Sequence, residues 1–212
     1  MKTPPEDEGK NGLERKLTPL QLDALKEAGN IGAGNAAMAL SNMVKARIMV
    51  HVPKALILSL DRVSDLAGGP EVVAAGVYLC VSGEANGRML LLLPEPSALQ
   101  LIRMILPEEP MEQLSELARS ALQEVGSILT GSYLNALGSL TGLTLRPSIP
   151  AFALDMVGAV IDLILVELGE SDDEVLVIET TFDLAGQAVG GHLIFFPDMG
   201  SLETILGRLG VK

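Results

Sequence analysis

An α+β fold with an internal duplication is what this chain predicts: a largely antiparallel β-sheet packed against two long Gly-rich helices related by pseudo-two-fold symmetry. Three observations carry that expectation. Residues 19–43 and 112–140 space their apolar side chains at helical period, paired apolar runs flank short turns, and the second half repeats the first at a fixed offset. Nothing shows the regular alternation of strand and helix that a parallel sheet requires, so the helices are expected to gather on one face.

Composition narrows the class. With 212 residues, 48% of them apolar, the chain can fill one large core or two small intertwined ones. A net charge of -12 and a pI near 4.5 argue against nucleic acid or an anionic membrane as partner, since both select clustered Lys and Arg. Proteins are the expected partners. The lone Cys80 allows no internal disulfide, and the N-terminus has no cationic, apolar signal peptide, so a reducing cytoplasm is the expected compartment. Two histidines and one cysteine leave too few ligands for a zinc site.

In chain order, residues 1–16 are rich in Pro, Gly, Glu and Lys without periodicity and read as a disordered leader. The rest, 17–212, reads as a single domain of two repeats, about 17–110 and 111–212. Thr18 before Pro19 is a helix N-cap with proline at the first helical position, and the pattern of Leu20, Leu22 and Leu25 resumes at Met38, Leu40 and Met43. Residues 46–60 read as strands, with Ile48, Val50 and Val52 alternating up to Pro53. Residues 72–82 and 87–93 flank a turn at Glu84, Ala85 and Asn86 and predict a hairpin ended by Pro94 and Pro96. Ser97 is expected to cap a helix to about Leu106, followed by a linker at 107–110.

Residues 112–140 then resume helical period at Leu114, Leu117, Leu122, Val125 and Leu129. The uncharged run 125–145 has the length of a membrane crossing but is diluted by Gly, Ser, Thr and Asn and continues a charged helical segment, so a buried amphipathic helix is expected. Laid over the first helix at an offset of 97 (124 minus 27), Ala24, Leu25, Glu27, Gly29, Ile31 and Gly34 match Ala121, Leu122, Glu124, Gly126, Ile128 and Gly131. Pro53 matches Pro150 at the same offset. Gly87, Pro94, Leu99 and Ile102 match Gly190, Pro197, Leu202 and Ile205 at 103 (190 minus 87), which places the six extra residues in the acidic turn 169–174.

On the first helix Asp23, Glu27 and Asn30 stand at i, i+4 and i+7, which superposes two carboxylates and a carboxamide on one outward face. Gly32 to Ala37 also fits GxGxxA, but a dinucleotide site needs a strand delivering the glycines to a helix N-terminus, and here the preceding residues are helical. Gly29, Gly32, Ala33, Gly34, Ala36 and Ala37 instead give a smooth surface for a partner helix, expected to be the second Gly-rich one. A solvated surface position is the ordinary reading of an isolated Glu or Asn. A glutamate repeated at Glu124, flanked by glycines rather than solubilising charges, is less expected of a merely solvated face. Asp23 and Ser120 read as helix-surface or capping residues, His51 and His192 as structural, and Cys80 as core packing.

The pattern Asp23-x3-Glu27-x2-Asn30-x3-Gly34 within NIGAGNAA resembles the CheC/CheX/FliY phosphatases of bacterial chemotaxis, CheC most closely, and Ser120-x3-Glu124-x2-Ser127-x3-Gly131 occupies the family's second motif. The resemblance spans residues 17–212. It implies hydrolysis of the aspartyl phosphate of the response regulator CheY without a covalent enzyme intermediate. Asn30 would orient the hydrolytic water, and Glu27 would pair with a lysine of the regulator. Magnesium would be supplied by the regulator. Ser127 departs from the family's Asn, so the second site lacks the amide, while Glu124 keeps the docking carboxylate. The family also implies binding to the receptor deamidase CheD, as a monomer or a heterodimer with it. Its docking helix is matched by 153–165, with Asp155 at the helix start and Val157, Val160, Ile161 and Leu165 as the apolar stripe. A non-catalytic module that docks CheD or a flagellar switch component is the alternative function, favoured by Ser127.

Overall fold

The computed structural model describes residues 18–108, 114–168, 174–184 and 186–210, so the leader, much of the linker and the acidic turn lie outside the described residues. The order is α1 (Pro19–Val44), β1 (Ile48–Ser59), a 3-10 helix (Leu60–Ala67), β2 (Val73–Gly83), β3 (Gly87–Pro94), α2 (Glu95–Ile105), α3 (Glu116–Thr141), β4 (Leu145–Pro147), β5 (Ala151–Met156), α4 (Val157–Leu168), β6 (Glu174–Leu184), β7 (Gln187–Pro197) and α5 (Ser201–Arg208).

Helix α1 begins where its sequence directs. The Thr18 hydroxyl accepts from the Gln21 amide at 3.3 Å, and the Gln21 side chain accepts from the Thr18 amide at 2.9 Å, so two otherwise orphaned donors are satisfied reciprocally. At α3 the Ser115 hydroxyl accepts from the Ala118 amide at 3.1 Å, a one-way cap, since alanine cannot reciprocate. Helix α2 departs from expectation: it starts at Glu95 behind Pro94, with no side-chain cap, and Ser97 lies inside its first turn. Proline in that turn supplies the helical φ in advance, which fixes the start earlier than a serine cap would.

All strand pairs are antiparallel, in the order β1-β6-β7-β3-β2-β4, with β5 also on β2. Exchanging β1 with β4 and β5, β2 with β6, and β3 with β7 returns the same order. Each half thus sends its first strand to the other half's hairpin. The break between β4 and β5 falls opposite, at the offset of 97, the register shift between His51 and Lys54 in β1.

The helices do not gather on one face. One core joins α1, α2, α3 and α5 to the sheet through Leu25, Leu122, Leu101 and Leu202. A second, on the opposite face, joins α4 and the 3-10 helix through Val160, Ile164 and Val63. The sequence sign of this is the unbroken buried run Met89, Leu90, Leu91, Leu92 and Leu93, in which alternate residues enter opposite cores.

His192 on β7 faces Glu179 on β6, and Glu179 lies 3.9 Å from the Lys54 ammonium. Its Nδ1 is buried without a hydrogen-bond partner. Burial pushes its pKa below the usual 6.5, against the pull of Glu179. Folding therefore disfavours the charged ring, and this contribution to stability is present above about pH 6.5 and lost as pH falls through that value towards the lowered one. Urea melts at pH 7 and pH 5 should show a loss of stability that His192→Gln reduces, by less than about 1.4 kcal/mol per pH unit. An equal loss in both proteins would refute it.

Candidate functional site

Leu25, Ala28, Gly29, Gly32, Ala33, Ala36 and Leu40 form the buried side of α1. Asp23, Glu27, Asn30, Ile31, Gly34, Asn35 and Met38 are exposed, as 3.6 residues per turn requires of the complementary arc. Glu27 and Asn30 therefore stand together on the outward face, about 4.5 Å apart along the axis. No hydrogen bond or ion pair with another described residue engages either side chain. Both are free to meet an incoming molecule.

The small residues divide by task. A Cβ on Gly32 would lie 2.9 Å from the Tyr133 Cα, so this glycine sets the approach of α1 to α3. Gly29 and Gly126 instead admit strand side chains: a Cβ would meet Val52 at 3.1 Å and Val77 at 2.6 Å, respectively. Gly34 and Gly131 have nothing within 4 Å, so they leave clear space on the face that carries the glutamates. Tyr133, behind this contact, is fully enclosed; its hydroxyl lacks a partner and burial pushes its pKa up.

On α3, Ser120 and Glu124 are exposed and Ser127 is half-buried. Glu124 thus occupies the place on α3 that Glu27 has on α1, but the next polar group is shorter and less accessible.

Asp155 lies elsewhere and not on a helix. It sits in β5 opposite Ala74, exposed, and its carboxylate accepts from the Met156 amide at 2.7 Å. The helix begins only at Val157, because residues 151–156 complete the sheet against β2. The expected docking stripe is also inverted: Val157, Val160 and Ile161 are buried in the chain's own second core, with Leu165 packed against it. The outward face of α4 carries Leu163 and Val166, 48% and 81% exposed. Tyr78 ties this helix to β2 by donating to the Glu167 carboxylate at 3.1 Å. His51 is exposed, and Cys80, expected in the core, is half-buried.

Apolar side chains that the periodicity assigns to the helix cores are exposed at Met43 and Leu117 and, most of all, at two positions of α1: Leu20 at 64% and Met38 at 67%. Their phase relative to Glu27, seven before and eleven after, was the signal that places them on its face. Among the described residues no three His, Cys, Asp or Glu converge as a metal-binding set, and no helix is long and apolar enough to cross a membrane.

The model of the CheC-like family matches residues 20–57, which span most of α1 and β1. The CheY-P phosphatase CheC of Bacillus subtilis is 39% identical over 208 residues, covering 95% of this chain and 98% of that protein. Thermotoga maritima FliY shares the fold with a TM-score of 0.69 at 20% identity, covering 92% of this chain and 98% of that structure. CheX from Desulfovibrio desulfuricans superposes with a TM-score of 0.51 at 14% identity over 80% of this chain and 97% of its own. Identity of this extent over nearly the whole of both chains, on a shared mixed fold, places the chain in the CheC-like family.

Proposed function

We propose that this chain hydrolyses the aspartyl phosphate of a CheY-type response regulator, with Asn30 and Glu27 as its working pair. The observation that supports the reading most is the exposed, internally unengaged pair on one arc of α1, beside the open space at Gly34. The Asn30 carboxamide offers an acceptor oxygen to a water hydrogen and donor hydrogens to a phosphoryl oxygen, which holds the water oxygen in line with phosphorus. That oxygen bonds to phosphorus as the phosphorus–oxygen bond to the aspartyl group breaks; the carboxylate leaves, and the water's proton passes to phosphate or solvent. Glu27 pairs with a lysine of the regulator and fixes the docking register. Magnesium belongs to the regulator: among the described residues no three His, Cys, Asp or Glu converge as a metal-binding set, and the roles of Asn30 and Glu27 need no metal held by this chain. Glu124 acts as a docking carboxylate on α3.

Phosphate release from a phosphorylated CheY-type regulator, with and without this protein, tests the reading; no acceleration would refute it. Glu27→Ala should raise KM about tenfold or more with a smaller effect on kcat, as removal of a docking charge does.

CheD docking is the second reading. It is supported by the outward face of the C-terminal half of α4, where Leu163 and Val166 lie exposed. Val166→Asp should abolish co-elution with purified CheD and leave phosphate release unchanged; undiminished co-elution would remove α4 from the interface.

A further inference from the structure

Apart from Met43 in the last turn, 38% exposed and on the other side of the helix, the exposed large apolar side chains of α1 are not scattered. At about 100° per residue, Leu20, Glu27, Ile31, Gly34 and Met38 fall, with Asn30, within an arc of roughly 100°. Leu20 stands about 10 Å along the axis before Glu27 and Met38 about 16 Å beyond it. Single exposed leucines are unremarkable on a protein surface. Here two large ones bracket the reactive pair on its own face, over a length of about 27 Å that suits one side of a standard protein interface.

The second helix supplies an internal comparison. At the offset of 97, Leu20 corresponds to Leu117, 57% exposed, and Glu27 to Glu124. Asn30 corresponds to Ser127 and Met38 to Asn135. The two faces keep their glutamate and the leucine before it. They part at the amide and at the methionine beyond it. Joint departure at these two positions is what a single occupant lying across both would leave, since an anchor is useless where the group it serves is gone.

We propose that Leu20 and Met38 are the apolar anchors that seat the response regulator on α1, one beyond each end of the Glu27 and Asn30 pair, and that α3 carries only half of this docking face. The inference rests on the function proposed above. The occupant is the regulator and no other protein, because the anchors share an arc with the residues that address its phosphorylated aspartate. Leucine gives a fixed apolar end, and methionine, unbranched and polarisable, adapts to an uneven partner surface. Both act by positioning and touch no reacting atom.

The test separates binding from turnover. The full chain carrying Asn30→Ala is titrated with a purified CheY-type regulator held in its activated form by beryllofluoride, and Leu20→Ser and Met38→Ser are then added. Each should raise Kd about tenfold, and the two together about a hundredfold, since the sites are far apart and independent. In the chain with Asn30 intact the same substitutions should raise KM by similar factors and leave kcat within about twofold. Their thermal midpoints should be unchanged, because neither side chain is buried. A Kd within twofold of the parent for both overturns the anchors. If Asn30→Ala retains full turnover, the proposed role of Asn30 fails, while the Kd shifts still decide the anchors. In the Asn30→Ala background, Ser127→Asn with Asn135→Met should restore turnover at least tenfold beyond Ser127→Asn alone; equal turnover overturns the claim that α3 carries half a face.

Discussion

Replacing Asn30 with alanine should slow release of phosphate from the regulator by about 10- to 1000-fold, the range in which a single positioning or proton-handling group commonly acts. The regulator's affinity should change less than threefold. Asn30 is exposed and packs against nothing that folding needs, so the variant should melt with the parent. Loss of turnover with retained binding would separate orientation of the water from docking; retained turnover would remove Asn30 from the chemistry. Asn30→Asp is the sharper companion. It keeps the size and one acceptor but replaces the donor with negative charge facing a phosphoryl group, so it should be at least as damaging as alanine.

Gly32→Val should cost about 3 kcal/mol of folding free energy, at the upper end for overpacking a close contact. The added Cβ would lie 2.9 Å from the Tyr133 Cα, which is backbone and cannot turn aside, so α1 and α3 must separate. Gly34→Ala, two residues on, has the opposite expected sign. Its Cβ meets nothing within 4 Å, and alanine in a helix interior gains about 0.5–1 kcal/mol over glycine. Urea denaturation of the two variants beside the parent checks both. A Gly32→Val protein of unchanged stability would mean that the helices are not held at this distance by the glycine.

Local rules written into neighbouring residues made much of the chain legible. Thr18, Pro19 and Gln21 fix the start of α1 whatever packs on it, since the cap is complete within one turn. The hairpin of β2 and β3 follows from two apolar runs on either side of a three-residue turn, and Glu27 and Asn30 share a face because helical period alone puts them there. The offset of 97 likewise places Glu124 on the corresponding face of α3.

Tertiary structure decided everything that depends on what a face meets. Period assigns Leu20 and Met38 to an apolar pattern and cannot say that this part of the helix turns to solvent, because the arc buried on α1 is set by the small residues at Gly29, Gly32 and Ala36 against α3 and the sheet. Ala153, Leu154 and Met156 fit helix or strand alike, and hydrogen bonding to β2, far away in sequence, made this segment strand and moved Asp155 off the helix. The stripe of Val157, Val160 and Ile161 was correctly apolar, yet it covers the chain's own sheet, since the second face of that sheet needed a cover that no local pattern announces. The pairing of β1 with β6 and of β5 with β2 belongs to the same class. The sequence by itself determined where α1 starts and which residues share a side; long-range pairing determined which sides are buried, because burial is a property of two surfaces and a local pattern describes only one.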